Sequence, residues 1–312
     1  MLLGIDIGGT KCACVLGEAE GGELTVRHKE RFKTDSLEKT LEKIFEVTDA
    51  MSPFDAIGIS CGGPLDEKAG VIMSPPNLPG WDNVRIADML KERYGVPVRL
   101  MNDANACALA EWRYGAGRGA DNMIFLTFGT GLGAGLILDG RLYSGATGMA
   151  GEVGHIRLKD DGPFGYGKRG SFEGFCSGVG IANAAKDVAK SAKAEGRVAF
   201  SADTDEKIEA LTAADVAALA REGDPDGVAV FDRCGRMLGE GLSILVDILN
   251  PDRIVIGSIY GRCEDLLVRG MRESLEREAL PEALGALEIV PAKLGESIGD
   301  VAALAVAASC FD

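Results

Sequence analysis

The chain has 312 residues, of which 46% are hydrophobic, and its formal net charge is −15 at pH 7. This length allows one large domain or two domains of ordinary size, each with a substantial core. The acidic charge argues against nucleic acid as a partner, because binding to a phosphate backbone needs a basic surface. No run of about 18 apolar residues occurs, so the sequence predicts no membrane-spanning helix.

The eight cysteines are scattered along the chain and include no C-x-x-C pair. Several lie in apolar runs, where a free cysteine behaves as a small hydrophobic residue. The N-terminal sequence MLLGIDIGG lacks the basic and long apolar regions of a secretory signal peptide. These features predict a reduced, cytoplasmic protein without a disulfide framework.

Strand-like and helix-like segments alternate along the chain, which predicts an α/β protein. Strands are predicted at residues 2–7, 12–16, 56–60, 98–101, 123–128, 133–138 and 253–257. Helices are predicted at residues 37–50, 86–94, 104–114, 179–194, 213–221, 226–249 and 298–309. The helix over 226–249 has the clearest ends, because Asp224 and Pro225 suit its start and Pro251 follows its last residue.

Two segments share one pattern, LLGIDIGGTKCACVL at residues 2–16 and IFLTFGTGLGAGLIL at residues 124–138. Each consists of an apolar run, a Gly/Thr turn and a second apolar run, which predicts a β-hairpin with a glycine turn. Two matched hairpins suggest two domains of similar plan.

The glycine turns are predicted to bind phosphate, because glycine lets backbone N–H groups approach an anion closely. The threonines add hydroxyl donors. Asp6 cannot bind phosphate directly, but it can bind Mg²⁺ through water, since this cation prefers oxygen ligands and keeps its hydration. The candidate phosphate-binding residues are Gly8, Gly9, Thr10 and Lys11 in the first hairpin and Gly129, Thr130, Gly131 and Gly133 in the second.

Two other nucleotide-binding motifs are excluded by their context. GTGLGA fits the dinucleotide fingerprint, but that motif needs a helix directly after it, whereas LILDG predicts a strand. Residues 162–168 fit G-x-x-x-x-G-K, but Arg169 follows the lysine and no helix can begin there.

Six ordered motifs, DIGGTK, GISCGGP, NLPGW, NDANACALAE, GTGLGAG and AGEVGH, resemble those of the ROK family of sugar kinases and sugar-responsive repressors. The match extends from Gly4 to about Gly178 and resumes at NPDRIVIG. The resemblance implies the two-domain actin/hexokinase-like (ribonuclease H-like) α/β fold, with a cleft between the domains. The implied N-terminal domain covers residues 1–117 plus 296–312, and the C-terminal domain covers residues 118–295.

The resemblance implies ATP-dependent phosphorylation of a hexose or N-acetylhexosamine at its 6-hydroxyl, with Asp103 as the general base. A carboxylate placed on the hydroxyl proton is worth roughly 10²–10⁴ in rate. A simpler interpretation is that Asp103 caps the helix that begins at Ala104, and one residue can do both. The sugar contacts that the resemblance implies are Asn77, Asn102, Glu152, His155 and Glu173.

The resemblance also implies ATP and Mg²⁺ as cofactors, and a homodimer. Gly257 is the implied nucleoside contact, although this chain has Gly257-Ser258 where the family usually has two glycines. The alternative function is a non-catalytic sugar-binding or sugar-sensing protein. A DNA-binding repressor is disfavoured, because the first hairpin begins at Gly4 and the net charge is acidic. The sugar stays open, with glucose favoured by the E-x-x-x-S-G pattern at residues 173–178.

In most ROK relatives the loop after AGEVGH reads C-x-C-G-x-x-G-C-x-E and binds one Zn²⁺ together with a histidine. Phe164, Tyr166 and Ser171 stand at the three cysteine positions here, and His155 alone cannot hold a metal that needs about four N or S ligands. We therefore expect no zinc. We predict instead that Phe164, Tyr166 and Phe172 form a small apolar cluster, the alternative being a mobile loop.

Overall fold

The structure, a computed structural model, describes residues 1–312 apart from the side chain of Glu296. The chain divides into two compact units. Unit 1 comprises Met1–Phe125, Gly135–Ala150 and Ala292–Asp312, and unit 2 comprises Leu126–Ala134 and Gly151–Pro291.

The β-strands, in chain order, are β1 (Leu2–Ile7), β2 (Lys11–Glu20), β3 (Glu23–Lys33), β4 (Ala56–Cys61), β5 (Leu65–Asp66), β6 (Val71–Ile72), β7 (Val98–Asn102), β8 (Met123–Leu126), β9 (Ala134–Leu138), β10 (Arg141–Tyr143), β11 (Phe164–Gly165), β12 (Lys168–Arg169), β13 (Arg253–Ile256) and β14 (Glu288–Pro291). The α-helices are α1 (Leu37–Met51), α2 (Ile86–Tyr94), α3 (Asp103–Tyr114), α4 (Phe172–Phe175), α5 (Gly178–Ala194), α6 (Asp205–Ala210), α7 (Ala213–Arg221), α8 (Pro225–Leu249), α9 (Ile259–Glu278), α10 (Pro281–Leu284) and α11 (Ile298–Ala308).

The first sheet has the strand order β3-β2-β1-β4-β7. β1 pairs antiparallel with β2, which confirms the first predicted hairpin, and parallel with β4, which pairs parallel with β7. The central strands read as continuous apolar runs, and Leu3, Ile5, Ile57 and Ile59 are fully buried. Such runs are expected of strands that are covered on both faces.

The last helix, α11, packs against β1 and β4 of this sheet. Its residues Val301–Ala307 are buried and include four alanines, whose small side chains let the helix approach the sheet closely. The sheet presents glycine where the helix crosses. A Cβ on Gly58 would overlap the carbonyl oxygen of Ala303 and the backbone nitrogen of Ala307, and a Cβ on Gly4 would lie 2.8 Å from the nitrogen of Leu304. Small residues on both sides therefore allow this close backbone contact.

The second sheet has the strand order β10-β9-β8-β13-β14. β8 and β9 are neighbours joined by the glycine-rich loop, as the second predicted hairpin requires, and β13 pairs parallel with β14. In unit 2 the long helices α8 and α9 pack against each other. None of the helices in the described part of the chain combines the length and the hydrophobicity that a membrane span requires.

Each predicted strand and helix is present, and the strand at 2–7 and the helices at 86–94 and 213–221 have the predicted ends. The sequence analysis nevertheless missed several elements. The largest are β3 and α9. β3 is a sheet edge whose residues are mostly exposed and charged, so it lacks an apolar alternation. α9 is rich in charges and is interrupted at Cys263, which has non-helical backbone angles.

The contact between Gly58 and α11 predicts that Gly58→Ala lowers the free energy of unfolding by about 3 kcal/mol, because two backbone segments would have to separate. The measurement is urea unfolding at equilibrium. Gly285→Ala is the control, since Gly285 has helical angles and a Cβ there would meet atoms no closer than 3.6 Å. We expect it to change stability by about 0.5 kcal/mol or less. Equal unfolding midpoints for the two variants would contradict the prediction.

Candidate functional site

The turn between β1 and β2 brings two predicted site residues of unit 1 together. A Cβ on Gly9 would overlap the carbonyl oxygen of Asn77 and lie 2.8 Å from the Asn77 Cβ. The Gly8 N–H donates to the carbonyl of Lys11 at 3.2 Å, which closes the turn. Gly9, Thr10 and Lys11 are exposed, so their backbone groups are accessible to a ligand.

Asp6, close to the end of β1, lies among other carboxylates of unit 1. Burial, followed by the charges of Asp103 and Asp300, raises the pKa of Asp6 to about 6, against the opposing effects of Lys11 and Lys29. Asp300 lies in α11, is largely buried and forms an ion pair with Lys29. Sequence reasoning missed Asp300, because the packing of α11 on the sheet alone brings it near Asp6.

The Asn102–Asp103 segment lies where β7 ends and α3 begins. The Asn102 side chain caps α3, with its Oδ1 accepting from the N–H groups of Ala104 at 3.0 Å and Asn105 at 3.4 Å. The interpretation of Asp103 as the helix cap is therefore wrong. Asp103 is the first helical residue, its side chain is exposed, and its Oδ1 also accepts from the Ala104 N–H at 2.8 Å.

Glu67, between β5 and β6, accepts hydrogen bonds from this segment. Its Oε1 accepts from the backbone N–H of Asn102 at 2.8 Å and from the side-chain amide of Asn105 at 3.2 Å. Asn105 is buried, so the carboxylate satisfies donors that have little access to water. No sequence pattern pointed to Glu67, which lies in an ordinary charged turn.

The glycine-rich loop of unit 2 is held by its own backbone and by the start of α5. The Thr127 N–H donates to Gly133 at 3.0 Å, and the Gly129 N–H donates to Gly131 at 3.0 Å. The Gly178 N–H donates to the Gly129 carbonyl at 2.8 Å. Thr130, at the tip, is exposed. The predicted residues of this loop therefore form one ordered turn.

Three of the predicted sugar contacts in unit 2 meet around Tyr166. The Tyr166 hydroxyl donates to Glu152, and its backbone N–H donates to Glu173 Oε1 at 2.9 Å. The His155 ring lies edge-on to the Tyr166 ring, with 5.1 Å between centroids. Glu173 Oε2 accepts from the Leu132 N–H at 3.0 Å, which connects this group to the glycine-rich loop.

The predicted apolar cluster of Phe164, Tyr166 and Phe172 is wrong. Phe164 is 56% exposed, whereas Phe172 is fully buried and packs at Gly241 of α8. The side chains at the three cysteine positions carry no thiolate and do not fit the zinc site of the family. Among the described residues, no three His, Cys, Asp or Glu side chains form a group that could hold a metal ion.

A cavity of about 540 Å³ opens in unit 2 beside the glycine-rich loop. Gly129 and Thr130 line it, as does Ser258, whereas the neighbouring Gly257 donates its N–H to the Leu126 carbonyl at 2.9 Å. Much of the wall is aliphatic and comes from α5, α7 and the start of α9. Local sequence patterns did not identify these residues as the lining of a cavity. Its further lining residues include Val179, Ala182, Leu211, Ala214, Ala217, Ile259 and Arg262.

Proteins of one known family resemble this chain over almost its whole length. A model of the ROK family matches residues 2–309. A glucokinase from Thermotoga maritima is 32% identical over 312 residues, which cover 98% of this chain and 96% of that protein. The solved structure of a ROK family glucokinase from Streptomyces griseus, in complex with glucose and AMPPNP, is 31% identical with a TM-score of 0.77 and covers 99% of each chain.

A solved ROK family transcriptional regulator, a homolog of the E. coli MLC protein, is 25% identical with a TM-score of 0.84. The match covers 99% of this chain and 78% of that one. These structures confirm the predicted α/β actin/hexokinase-like fold class. The family includes kinases and regulators, so the fold does not by itself assign an activity.

The position of Asp6 predicts that Asp6→Asn stabilises the protein above pH 6. A carboxyl group with a raised pKa binds its proton more tightly in the folded chain, so its ionised form lowers stability at higher pH. We expect a gain of about 1–3 kcal/mol at about pH 7.5 that shrinks as the pH falls from about 6 to 4.

Thermal unfolding at several pH values measures this effect. Asp160→Asn is the matched control, because it removes a carboxylate from an exposed position. A gain for Asp6→Asn that does not depend on pH, or one that the control shares, would contradict the electrostatic explanation.

Proposed function

Because the chain belongs to the ROK family across residues 2–309, we propose that it is a sugar kinase. It transfers the γ-phosphoryl group of ATP to a hexose or N-acetylhexosamine, with the 6-hydroxyl as acceptor. The observation that carries the proposal is the exposed Asp103 carboxylate at the start of α3, close enough to Asp6 in unit 1 to influence its pKa. The names of the relatives favour glucose as the sugar.

Asp103 acts as the general base in this proposal. A sugar hydroxyl is a weak nucleophile at neutral pH, and a carboxylate that accepts its proton raises the rate by roughly 10²–10⁴. The hydroxyl oxygen forms a bond to the γ-phosphorus, the bond from that phosphorus to the ADP oxygen breaks, and the proton passes to Asp103. The hydrogen bond that the Asn102 N–H donates to Glu67, together with the Asn102 cap, holds the base in place.

The first hairpin binds the phosphates through the exposed backbone of Gly9, Thr10 and Lys11, in the turn that the Gly8 N–H closes. Asp6 fits a water-mediated Mg²⁺ contact, because it is a carboxylate beside two others whose repulsion a cation offsets. When bound, the ion would neutralise part of the phosphate charge. The protein itself contributes mostly positioning, as is usual for phosphoryl transfer.

Unit 2 binds the sugar and the nucleoside in this proposal. Glu152 and Glu173 accept hydrogen bonds from sugar hydroxyls, since each carboxylate retains acceptor sites beyond the bonds already described, and the His155 ring can donate to a hydroxyl or accept from one. The 540 Å³ cavity is within the size range of small-molecule sites, and its aliphatic wall suits a nucleobase. Thr130 and Gly129 connect this cavity to the glycine-rich loop.

The alternative is a non-catalytic sugar-binding or sugar-sensing protein, favoured by the likeness to a transcriptional regulator. ADP release with ATP, Mg²⁺ and a panel of hexoses and N-acetylhexosamines distinguishes the two. A kinase releases ADP with one or more of these sugars. Sugar binding without ADP release would support the alternative and contradict the proposal.

The role of Asp103 predicts that Asp103→Asn lowers kcat by at least about 10²-fold, because the amide cannot accept the hydroxyl proton. Sugar affinity should stay close to that of the wild type. Asp160→Asn is the control for loss of a carboxylate. A kcat within a few-fold of wild type would show that Asp103 is not the base.

The cavity in unit 2 predicts that Ala214→Trp raises the KM for ATP by about tenfold or more, because the indole fills the nucleoside space. The KM for the sugar should not change. Ala218→Trp is the matched control, since Ala218 lies on the same helix and is exposed but does not line the cavity. Equal ATP kinetics for the two variants would place the nucleotide elsewhere.

A further inference from the structure

We propose that Tyr166 is a positioning residue that orders the sugar-binding carboxylates of unit 2 in place of a metal. The inference deepens the proposed function and rests on it for the role of Glu152, His155 and Glu173. Its structural part, that Tyr166 holds the loop of residues 164–169, is independent of any activity.

The first connection is made by the backbone. The N–H of Tyr166 donates to Glu173 Oε1, and the other oxygen of the same carboxylate accepts from the N–H of Leu132. Glu173 is therefore fixed at both oxygens, between the 164–169 loop and the glycine-rich loop. Tyr166 has a φ of 49°, which is uncommon for a residue with a side chain and needs support from its surroundings.

The second connection is made by the side chain. The Tyr166 hydroxyl donates to a carboxylate oxygen of Glu152, and the ring contacts His155. Burial, together with the hydrogen bond to Glu152, raises the pKa of Tyr166, so the hydroxyl keeps its proton and stays a donor. Hydrogen bonds to a charged partner are stronger than those between neutral groups.

Ser171 closes the other end of the loop. Its hydroxyl donates to the Gly165 carbonyl at 2.7 Å and accepts from the Gly174 N–H at 3.0 Å, in a fully buried position. Two of the three residues at the family's cysteine positions thus make hydrogen bonds that order the loop. Phe164, the third, is exposed and is held by the β11–β12 pair. The side chains at these three positions cannot form the zinc site of the family. Hydrogen bonds from Tyr166 and Ser171 order the loop instead.

The test is Tyr166→Phe, which removes the hydroxyl and keeps the ring and the backbone. We expect the KM for D-glucose, or for the best sugar of the panel, to rise about tenfold, because Glu152 loses its partner. The kcat should stay within about threefold and the KM for ATP should not change. Tyr143→Phe in unit 1 is the matched control, since it removes an exposed tyrosine hydroxyl.

A second measurement does not need activity. Lys168 and Arg169 lie in the loop, so trypsin reports on its order, and the other Lys and Arg sites serve as internal controls. We expect cleavage after Lys168 or Arg169 to be about tenfold faster in Tyr166→Phe than in the wild type. If the wild type releases no ADP, the kinase proposal fails but this measurement still decides the structural role.

Two results would overturn the inference. One is a Tyr166→Phe variant with wild-type KM for the sugar and wild-type cleavage of the loop. The other is purified wild-type protein that holds about one zinc per chain and loses its protection at Lys168 and Arg169 when a chelator is added. The second result would mean that a metal orders the loop through ligands other than those described.

Discussion

The close backbone contact between α11 and the first sheet is the constraint on which the electrostatic grouping of Asp6, Asp103 and Asp300 depends. Gly4 and Gly58 leave no Cβ where the helix crosses, and alanines on α11 match them. The close approach of helix and sheet places the start of α11 beside the end of β1. A Cβ on Gly299 would lie 3.5 Å from Asp6 Oδ2. A packing requirement in the core therefore sets the electrostatic surroundings of Asp6, and Asp300 contributes to them through the same helix.

The sequence was most informative where the determining interactions are local. Apolar runs around a glycine turn identified both hairpins, and Asp224, Pro225 and Pro251 identified the ends of α8, because turn and cap chemistry depends on adjacent residues. α9 also carries a readable signal, since Leu267, Met271 and Leu275 recur at helical spacing and are buried. It was missed because charged residues surround them. The exposed edge strand β3 has no such signal.

The candidate site was less predictable, because several of its interactions join distant segments. Glu67 reaches Asn102 across 35 positions of sequence, and Asp300 affects Asp6 only after the last helix has packed. The wall of the cavity combines α5, α7 and α9, and it includes ordinary alanines together with Val179, Leu211 and Ile259. For the 164–169 loop, aromatic residues suggested an apolar cluster, yet the structure uses the hydroxyl and the backbone of Tyr166. Residue type alone does not tell which part of a tyrosine will be used.

The Glu173 carboxylate has one further consequence, because its two oxygens serve two different loops. One oxygen fixes Leu132 in the glycine-rich loop, and the other fixes Tyr166 beside Glu152 and His155. A ligand that draws the carboxylate toward one loop weakens its bond to the other. If the proposed ligands occupy both loops, thermodynamic reciprocity requires that each changes the affinity for the other by the same factor. The Glu173 side chain thus joins the two loops of unit 2 directly, through one hydrogen bond from each.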